Sequence, residues 1–267
     1  MSQALYRKWR PARFEDVIGQ EHITCTLQNS VAADRVGHAY LFCGPRGTGK
    51  TTLARLLAKA VNCLHDDVAE RPCNECRICQ AVNDGRFLDL IEIDAASNTG
   101  VDDMRDLRDK INFSPNEGRF KVYIIDEVHM LSTAAFNALL KTLEEPPPHV
   151  KFVLATTEEH KVPITIKSRC QQFNFRLLTT VEIKQRLAWM ADKEGFTIVP
   201  DAMTMIARQG AGSLRDAESL LDQLVMAPDD VITVERTQMV LGTASETAVI
   251  NITDAWLSSD GATGLST

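Results

Sequence analysis

The chain has 267 residues, 44% apolar and 24% charged, with 29 Lys/Arg against 36 Asp/Glu for a formal net charge of −7. That is ordinary globular composition for one large domain or two modest ones, and it excludes a disordered chain and a uniformly basic nucleic-acid coat. The charge is segregated, with nine Lys/Arg and four Asp/Glu in residues 1–62 but six and 13 in 63–118, so any nucleic-acid contact is local or shared with neighbouring subunits.

Ile23, Leu27 and Val31 recur at helical spacing and predict a helix over 20–35. Ala39-Tyr40-Leu41-Phe42-Cys43 reads as a short apolar strand broken by Gly44-Pro45-Arg46-Gly47. Residues 50–62 form a helix with Leu53, Leu56, Leu57 and Ala60 on one side, followed by a cysteine-rich insertion. Strands are expected at 88–93, 121–125, 151–155 and 171–175. Helices are expected at 102–111 and 132–143, the latter capped by Ser132 or Thr133 and ended by Pro146-Pro147-Pro148. After about Leu178 strand signals stop, and 182–193, 201–209, 214–226 and 234–240 read as helices. The alternation implies an α/β fold, a parallel sheet with helices on both faces, followed by a small all-helical domain. The expected division is 1–178 with the cysteine insertion at 63–79, then 179–243, then 244–267 as the opening of a further domain. A helix at about 246–256 running into Ser258-Ser259-Asp260-Gly261 gives the expectation that the chain stops short of a longer parent.

Gly44-Pro45-Arg46-Gly47-Thr48-Gly49-Lys50-Thr51 fits the P-loop pattern in full, between an apolar strand and a helix. Its glycines let backbone N–H groups curl round phosphate oxygens, and the helix presents its positive end to the same anion. Lys50 supplies charge to the β- and γ-phosphates, and the Thr51 hydroxyl is a Mg²⁺ ligand. Thr52 is grouped with these as a nucleotide contact. The run Val122-Tyr123-Ile124-Ile125-Asp126-Glu127 ends a buried strand in two carboxylates. Asp126 is expected at Mg²⁺, and Glu127 to orient or deprotonate an attacking water, which favours hydrolysis over transfer to a second substrate.

Cys63, Cys73, Cys76 and Cys79 offer four thiolates, with x₂ spacings that suit a closed structural Zn²⁺ site. An iron–sulfur cluster, two disulfides and free thiols are the alternatives; nothing suggests electron transfer, and disulfides fit a reducing compartment poorly. Cys25, Cys43 and Cys170 read as small apolar residues. No apolar run approaches a membrane span and the first ten residues lack a signal peptide's apolar stretch, so a soluble cytoplasmic protein without a membrane partner is expected.

With these residues the chain resembles the tau/gamma clamp-loader subunit family of bacterial DNA polymerase III, which are AAA+ ATPases. Besides the P-loop and the cysteine insertion, the resemblance rests on 6–11, Val17-Ile18-Gly19-Gln20-Glu21-His22, Asp126-Glu127-Val128-His129-Met130-Leu131, 138–147, Ser168-Arg169-Cys170 and Gly212-Ser213-Leu214-Arg215-Asp216-Ala217. It implies ATP as ligand and a place in a five-subunit ring that loads a sliding clamp onto primer–template DNA. It further implies that Arg169 reaches a neighbour's γ-phosphate, that Arg215 contacts its own subunit's nucleotide, and that Thr157 is a polar sensor, the alternative being a Thr that merely ends its strand. Arg7, Pro11, Val17 and Ile18 match the part that packs on adenine. Ser97-Asn98-Thr99-Gly100 and Arg105 match a DNA-facing loop and helix, with a solvated loop as the equal alternative. Because the family assembles through a C-terminal collar, residues 1–267 are expected to be monomeric and to hydrolyse ATP very slowly alone. Rival readings are another AAA+ ATPase of DNA metabolism, such as a branch-migration motor or initiator, and a non-catalytic stator that keeps the fold.

Overall fold

The computed structural model describes residues 4–97, 107, 110–227, 229–242 and 256. Its described residues divide into an α/β unit, within 9–179 and 212–214, and a helical unit, within 4–8, 180–211 and from 215 onward.

The α/β unit is built on one parallel sheet in the order β2-β3-β4-β1-β5, with β1 Ala39–Cys43, β2 Leu90–Asp94, β3 Lys121–Asp126, β4 Val150–Thr156 and β5 Gln171–Asn174. The central strands are buried along nearly their whole length because both faces are covered, which is why their sequences are largely continuous apolar runs rather than alternating ones. On one face Tyr40, Phe42, Val122, Ile124 and Val153 pack with Ile23 and Leu27 of α2 (Glu21–Ala32) and Leu53 and Leu57 of α3 (Lys50–Asn62). On the other, Leu41, Tyr123, Ile125 and Leu154 pack with Phe136 and Leu139 of a later helix, Thr133–Glu144. Ser132 caps that helix by accepting from the Ala135 N–H at 3.2 Å, and the helix stops one residue before the three prolines, as the steric restriction preceding proline requires.

Register sets the site. Cys43 is level with Thr156, and Ile125 with Leu154, so the chain leaving β1, β3 and β4 does so along one carboxyl edge of the sheet. The cysteine insertion contains α4 (Arg77–Asn83), and Thr133–Glu144 is then α5. A one-turn helix α6, Ile164–Lys167, precedes β5.

The helical unit contains α1 (Leu5–Lys8), α7 (Thr180–Glu194), α8 (Pro200–Gln209), most of α9 (Leu214–Leu224) and α10 (Val234–Leu241). Ile183, Leu187, Met190, Ile206, Leu221 and Leu224 are among its buried apolar side chains. Lys8 pairs with Glu194 at 2.6 Å, tying α1 to α7. Two short strands correct the expectation of a purely helical region: β6 (Thr197–Ile198) pairs in parallel with β7 (Val231–Ile232). Two residues are too few for alternation to show in a sequence. The first expected helix is also shorter than its pattern, ending at Ala32 instead of 35, where the backbone turns through Asp34 at φ 49°. Of the helix expected at 102–111, Leu107, Lys110 and Ile111 are helical and the rest lies outside the described residues, as do Asn98, Thr99, Gly100, Arg105 and all of 244–267 except Trp256. Among the described residues no helix is long and apolar enough to cross a membrane.

Candidate nucleotide and metal sites

The loop between β1 and α3 is made possible by glycine. Gly44 sits at φ 147°, and a Cβ there would lie 2.5 Å from the Phe175 carbonyl oxygen and 2.8 Å from the Phe175 Cβ. Gly49 caps α3 at φ 101°, a conformation costly for any side-chain-bearing residue. The buried Lys50 turns back into this loop, its Nζ donating to Gly44 O at 2.7 Å and Pro45 O at 2.8 Å. Burial lowers its pKa, and the charges of Glu127 and Asp126 oppose that shift. Thr48 Oγ1 braces the loop through Pro45 O at 2.8 Å. Gln20, fully buried, donates to Thr48 O at 3.4 Å and Arg176 O at 2.8 Å, holding the loop against the segment after β5. Arg46 is exposed, and Thr52 is half-buried on the first turn of α3.

The two predicted halves meet. Thr51 Oγ1 donates to Asp126 Oδ2 at 2.8 Å across 75 positions of sequence. Glu127 follows in a left-handed conformation, φ 48°, unusual for a residue with a side chain. Its carboxylate is held on one oxygen: Thr157 donates to Oε2 from both Oγ1, at 2.9 Å, and its backbone N–H, at 3.2 Å. His129 Nδ1 lies 3.4 Å from the same Oε2, and its Nε2 lies 3.2 Å from Glu158 Oε1. Gln20 and His129 are functional neighbours that sequence reasoning did not single out. The available signal was their position inside runs 17–22 and 126–131, which carry the resemblance.

The other candidates stand elsewhere. Arg169 lies in the turn between α6 and β5, donating to Thr165 O at 2.7 Å and pairing with Glu144. Pro11 and Ile18 are half-buried, and Val17 is buried in the α2–α3 core. In the helical unit, Arg215 lies 5.1 Å over the Tyr6 ring and Arg7 Nε donates to the Tyr6 hydroxyl at 3.1 Å, so two predicted nucleotide contacts share one aromatic partner.

The four clustered cysteines converge as well. Their sulfurs all lie within 4.8 Å of one another, with Cys63–Cys73 at 3.5 Å and Cys73–Cys79 at 4.0 Å. Tetrahedral ligands at ~2.3 Å from one Zn²⁺ stand about 3.8 Å apart, so this spacing fits a closed four-thiolate site. All seven cysteines are free. Cys73 and Cys76 donate backbone N–H groups to Cys63 Sγ and Cys73 Sγ, both at 3.4 Å, the kind of contact that stabilises thiolates. At Cys76 burial raises the pKa, but backbone donation from Leu64 and Cys79 outweighs it and the value falls to about 7. By contrast, burial pushes Cys43 up to about 11 and Cys170 up to about 12, which keeps these two as inert, protonated core thiols.

The sheet order, the phosphate-type loop and the carboxylate pair on one sheet edge define a P-loop protein of the AAA+ fold. Solved structures agree: the Holliday junction branch migration motor RuvB of Thermotoga maritima superposes with a TM-score of 0.63 at 22% identity, covering 95% of this chain and 80% of that one. At that identity the likeness shows the fold alone.

Residues 19–179 match the family model described as DNA polymerase III, delta subunit, and residues 182–229 match that of the DNA polymerase III clamp loader subunit, ATPase lid domain. DNA polymerase III subunit tau of Bacillus subtilis (strain 168) is 55% identical over 244 residues, 91% of this chain and 43% of the relative. The Escherichia coli (strain K12) tau subunit is 49% identical over 259 residues, 97% and 40%. The DNA polymerase III subunit gamma of Buchnera aphidicola subsp. Acyrthosiphon pisum is 46% identical over 258 residues, 97% of this chain and 71% of the relative. The chain belongs to the tau/gamma family of DNA polymerase III clamp-loader subunits. It spans about two fifths of the length of the tau relatives, with 43% and 40% covered.

Proposed function

We propose that this chain is the ATP-binding and ATP-hydrolysing part of a clamp-loader subunit, acting with other clamp-loader subunits in a pentameric ring to place a sliding clamp on primer–template DNA. The observation that carries the reading is the 2.8 Å bond from Thr51 to Asp126 beside a loop already curled round Lys50. Those two groups are what a P-loop ATPase uses to hold Mg²⁺, and hydroxyl plus carboxylate is a hard-oxygen donor set suited to it. Thr51 and Asp126 would hold Mg²⁺, which would supply positive charge to offset the negative charge that develops on the phosphates.

In this reading the N–H groups of 44–52 cradle the triphosphate, and the partly desolvated Lys50 trades its carbonyl partners for β- and γ-phosphate oxygens. Glu127, aimed by Thr157 and His129, orients the attacking water and takes its proton. Arg169 serves a neighbour's γ-phosphate, in keeping with a place on the surface where its ion pair with Glu144 exchanges at little cost. Arg215 contacts the nucleotide of its own subunit, and Arg7, Pro11, Val17 and Ile18 line the adenine. Cys63, Cys73, Cys76 and Cys79 hold Zn²⁺ in a structural role. The domain division is 1–178, 179–243 and 244–267, the last the start of a collar domain, and the 267-residue chain is monomeric on its own. The cytoplasmic replisome is its location.

The test is ATP turnover in the presence of sister clamp-loader subunits, clamp and primed DNA, for wild type, Lys50→Ala and Glu127→Gln. Lys50→Ala should abolish ATP binding, and Glu127→Gln should keep binding while losing about 10²–10⁴-fold in turnover. Turnover stimulated by DNA alone, without a clamp requirement, would favour a motor instead. Unaltered binding and turnover in Lys50→Ala would end the enzymatic reading.

A further inference from the structure

The cysteine module has no part in the chemistry above, yet it touches the α/β unit at a particular place. Lys59, on the third turn of α3, is 1% exposed. Its Nζ donates to Ala12 O at 2.6 Å, Asn74 Oδ1 at 2.9 Å and Asn83 Oδ1 at 2.9 Å. Asn74 lies between Cys73 and Cys76 in a left-handed turn, φ 65°, and Asn83 closes α4 one turn beyond Cys79; Asn83 Nδ2 also donates to Asn74 Oδ1 at 2.7 Å. A second tie runs from Arg13 Nη2 to Cys73 O at 3.2 Å. The N-terminal segment is thus held from outside by Lys59 and Arg13. From inside, Ala12 and Arg13 N–H groups donate to Asp16 Oδ2 at 3.2 and 2.9 Å, and Phe14 and Val17 are buried in the core.

Burying an ammonium among neutral oxygens is costly, and an aliphatic side chain would fill the same space without that cost. Directional bonds to three separate segments accomplish something an aliphatic chain does not: they fix the relative position of α3, the cysteine loop and the segment at 11–18. We propose that the metal-bound cysteine module is a brace that fixes segment 11–18 on the P-loop helix, with Lys59 and Arg13 as its positioning residues. The brace rests on the reading that the four thiolates hold Zn²⁺, and its functional consequence on the reading that 11–18 meets the base. A folded cysteine loop places Asn74 and the Cys73 carbonyl; loss of the metal frees both, and the segment loses two of its anchors.

The experiment uses the 267-residue chain in three forms: as purified with its metal content measured, stripped by a chelator under reducing conditions, and as metal-loaded Lys59→Met and Arg13→Ala. Amide hydrogen exchange is followed at 12–17 and in β1, β3 and β4. Stripping and Lys59→Met should each speed exchange at 12–17 by about tenfold or more while the central strands keep their protection, and Arg13→Ala should do so more weakly. Affinity for an ATP analogue should fall about tenfold in the same forms, while affinity for inorganic tripolyphosphate, which has no base, stays the same. Should Lys59→Met fail to fold, Arg13→Ala, altered at an exposed side chain, still reads the brace. Unchanged exchange at 12–17 in stripped protein and in Arg13→Ala overturns the proposal, as does a protein that binds no metal. Faster exchange at 12–17 with unaltered ATP affinity supports the brace and defeats the base-contact reading instead.

Discussion

Replacing Thr157 by valine should cost turnover and spare affinity. The side chain is one residue beyond β4, and its Oγ1 donates to Glu127 Oε2 at 2.9 Å while its N–H donates to the same oxygen at 3.2 Å. Valine keeps the shape and the N–H but deletes the hydroxyl donor. A hydrogen bond to a charged group contributes about 1.5–3 kcal/mol, and each 1.4 kcal/mol is about tenfold, so the correctly aimed carboxylate becomes roughly ten- to a hundredfold rarer. Since the partner is a carboxylate rather than a phosphate, the KM for ATP should stay within about twofold, and kcat should fall by about the factor above. The assay is ATP hydrolysis in the assembled loader alongside binding of a fluorescent ATP analogue to the chain. His129→Ala should behave likewise, and because the two residues share Oε2 the double variant should depart from additivity. Weakened analogue binding with unchanged kcat in Thr157→Val would refute this reasoning and put the hydroxyl on the nucleotide. Unchanged binding and turnover would leave Thr157 as a mere strand end.

Asp89, fully buried, accepts N–H bonds from Asn116, Glu117 and Gly118 at 2.7, 2.7 and 2.8 Å; burial raises its pKa, but these donors outweigh burial and hold it below the ordinary carboxylate value. A depressed folded-state pKa stabilises above the unfolded value of about 3.9, and that stability is lost as pH falls through the folded value. Asp89→Asn, with an amide NH₂ facing donors, should lower the melting temperature by roughly 5–15 °C near pH 7, a gap that closes below about pH 4; a gap independent of pH would refute the assignment. Gly44→Ala must displace the Phe175 backbone, whereas a Cβ at Gly49 meets no atom within 4 Å and bears only the cost of its φ. ATP-analogue binding should therefore fall about a hundredfold or more in the first and about tenfold in the second, and equal losses would show that strain and not space decides. Arg169→Ala should leave analogue binding and melting temperature untouched, because an exposed pair is worth only about 0–1 kcal/mol, but cut turnover of the assembled loader by about 10³-fold or more. A loss confined to the isolated chain would place the guanidinium in its own site.

Much of the architecture was legible wherever an apolar run meets a chemical stop. Strand 39–43 ends at Gly44 and helix 50–62 begins after Gly49, and in both cases the structure agrees to the residue. Elements below about one turn or three strand residues were not legible. The four residues of α6 and the paired dipeptides 197–198 and 231–232 are too short to express a period, and they exist because surrounding packing holds them. The strand expected at 88–93 begins at Leu90 instead, because Asp89 is engaged with the 116–118 loop and Leu88 faces solvent at 64% exposure.

The site divides along the same line. Gly44, Gly49, Lys50, Thr51, Asp126 and Glu127 were legible because each needs only a few neighbours in sequence to declare its chemistry. Of the residues that hold them, Gln20 and His129 were not, because they act across distance: Gln20 reaches Arg176 over 156 positions. Thr157 was named only through the resemblance, and its bond to Glu127 over 30 positions is visible only in the fold. A motif states which atoms do chemistry, and only the fold states where they aim. Glu127 shows the difference most sharply. Its left-handed backbone, φ 48°, costs free energy that a residue free to relax would not retain, and the Thr157 and His129 contacts all fall on Oε2. A strained main chain and a carboxylate gripped by one oxygen together fix the direction of the other, and under the function proposed above this is what would hold Glu127 in position as a base before substrate arrives.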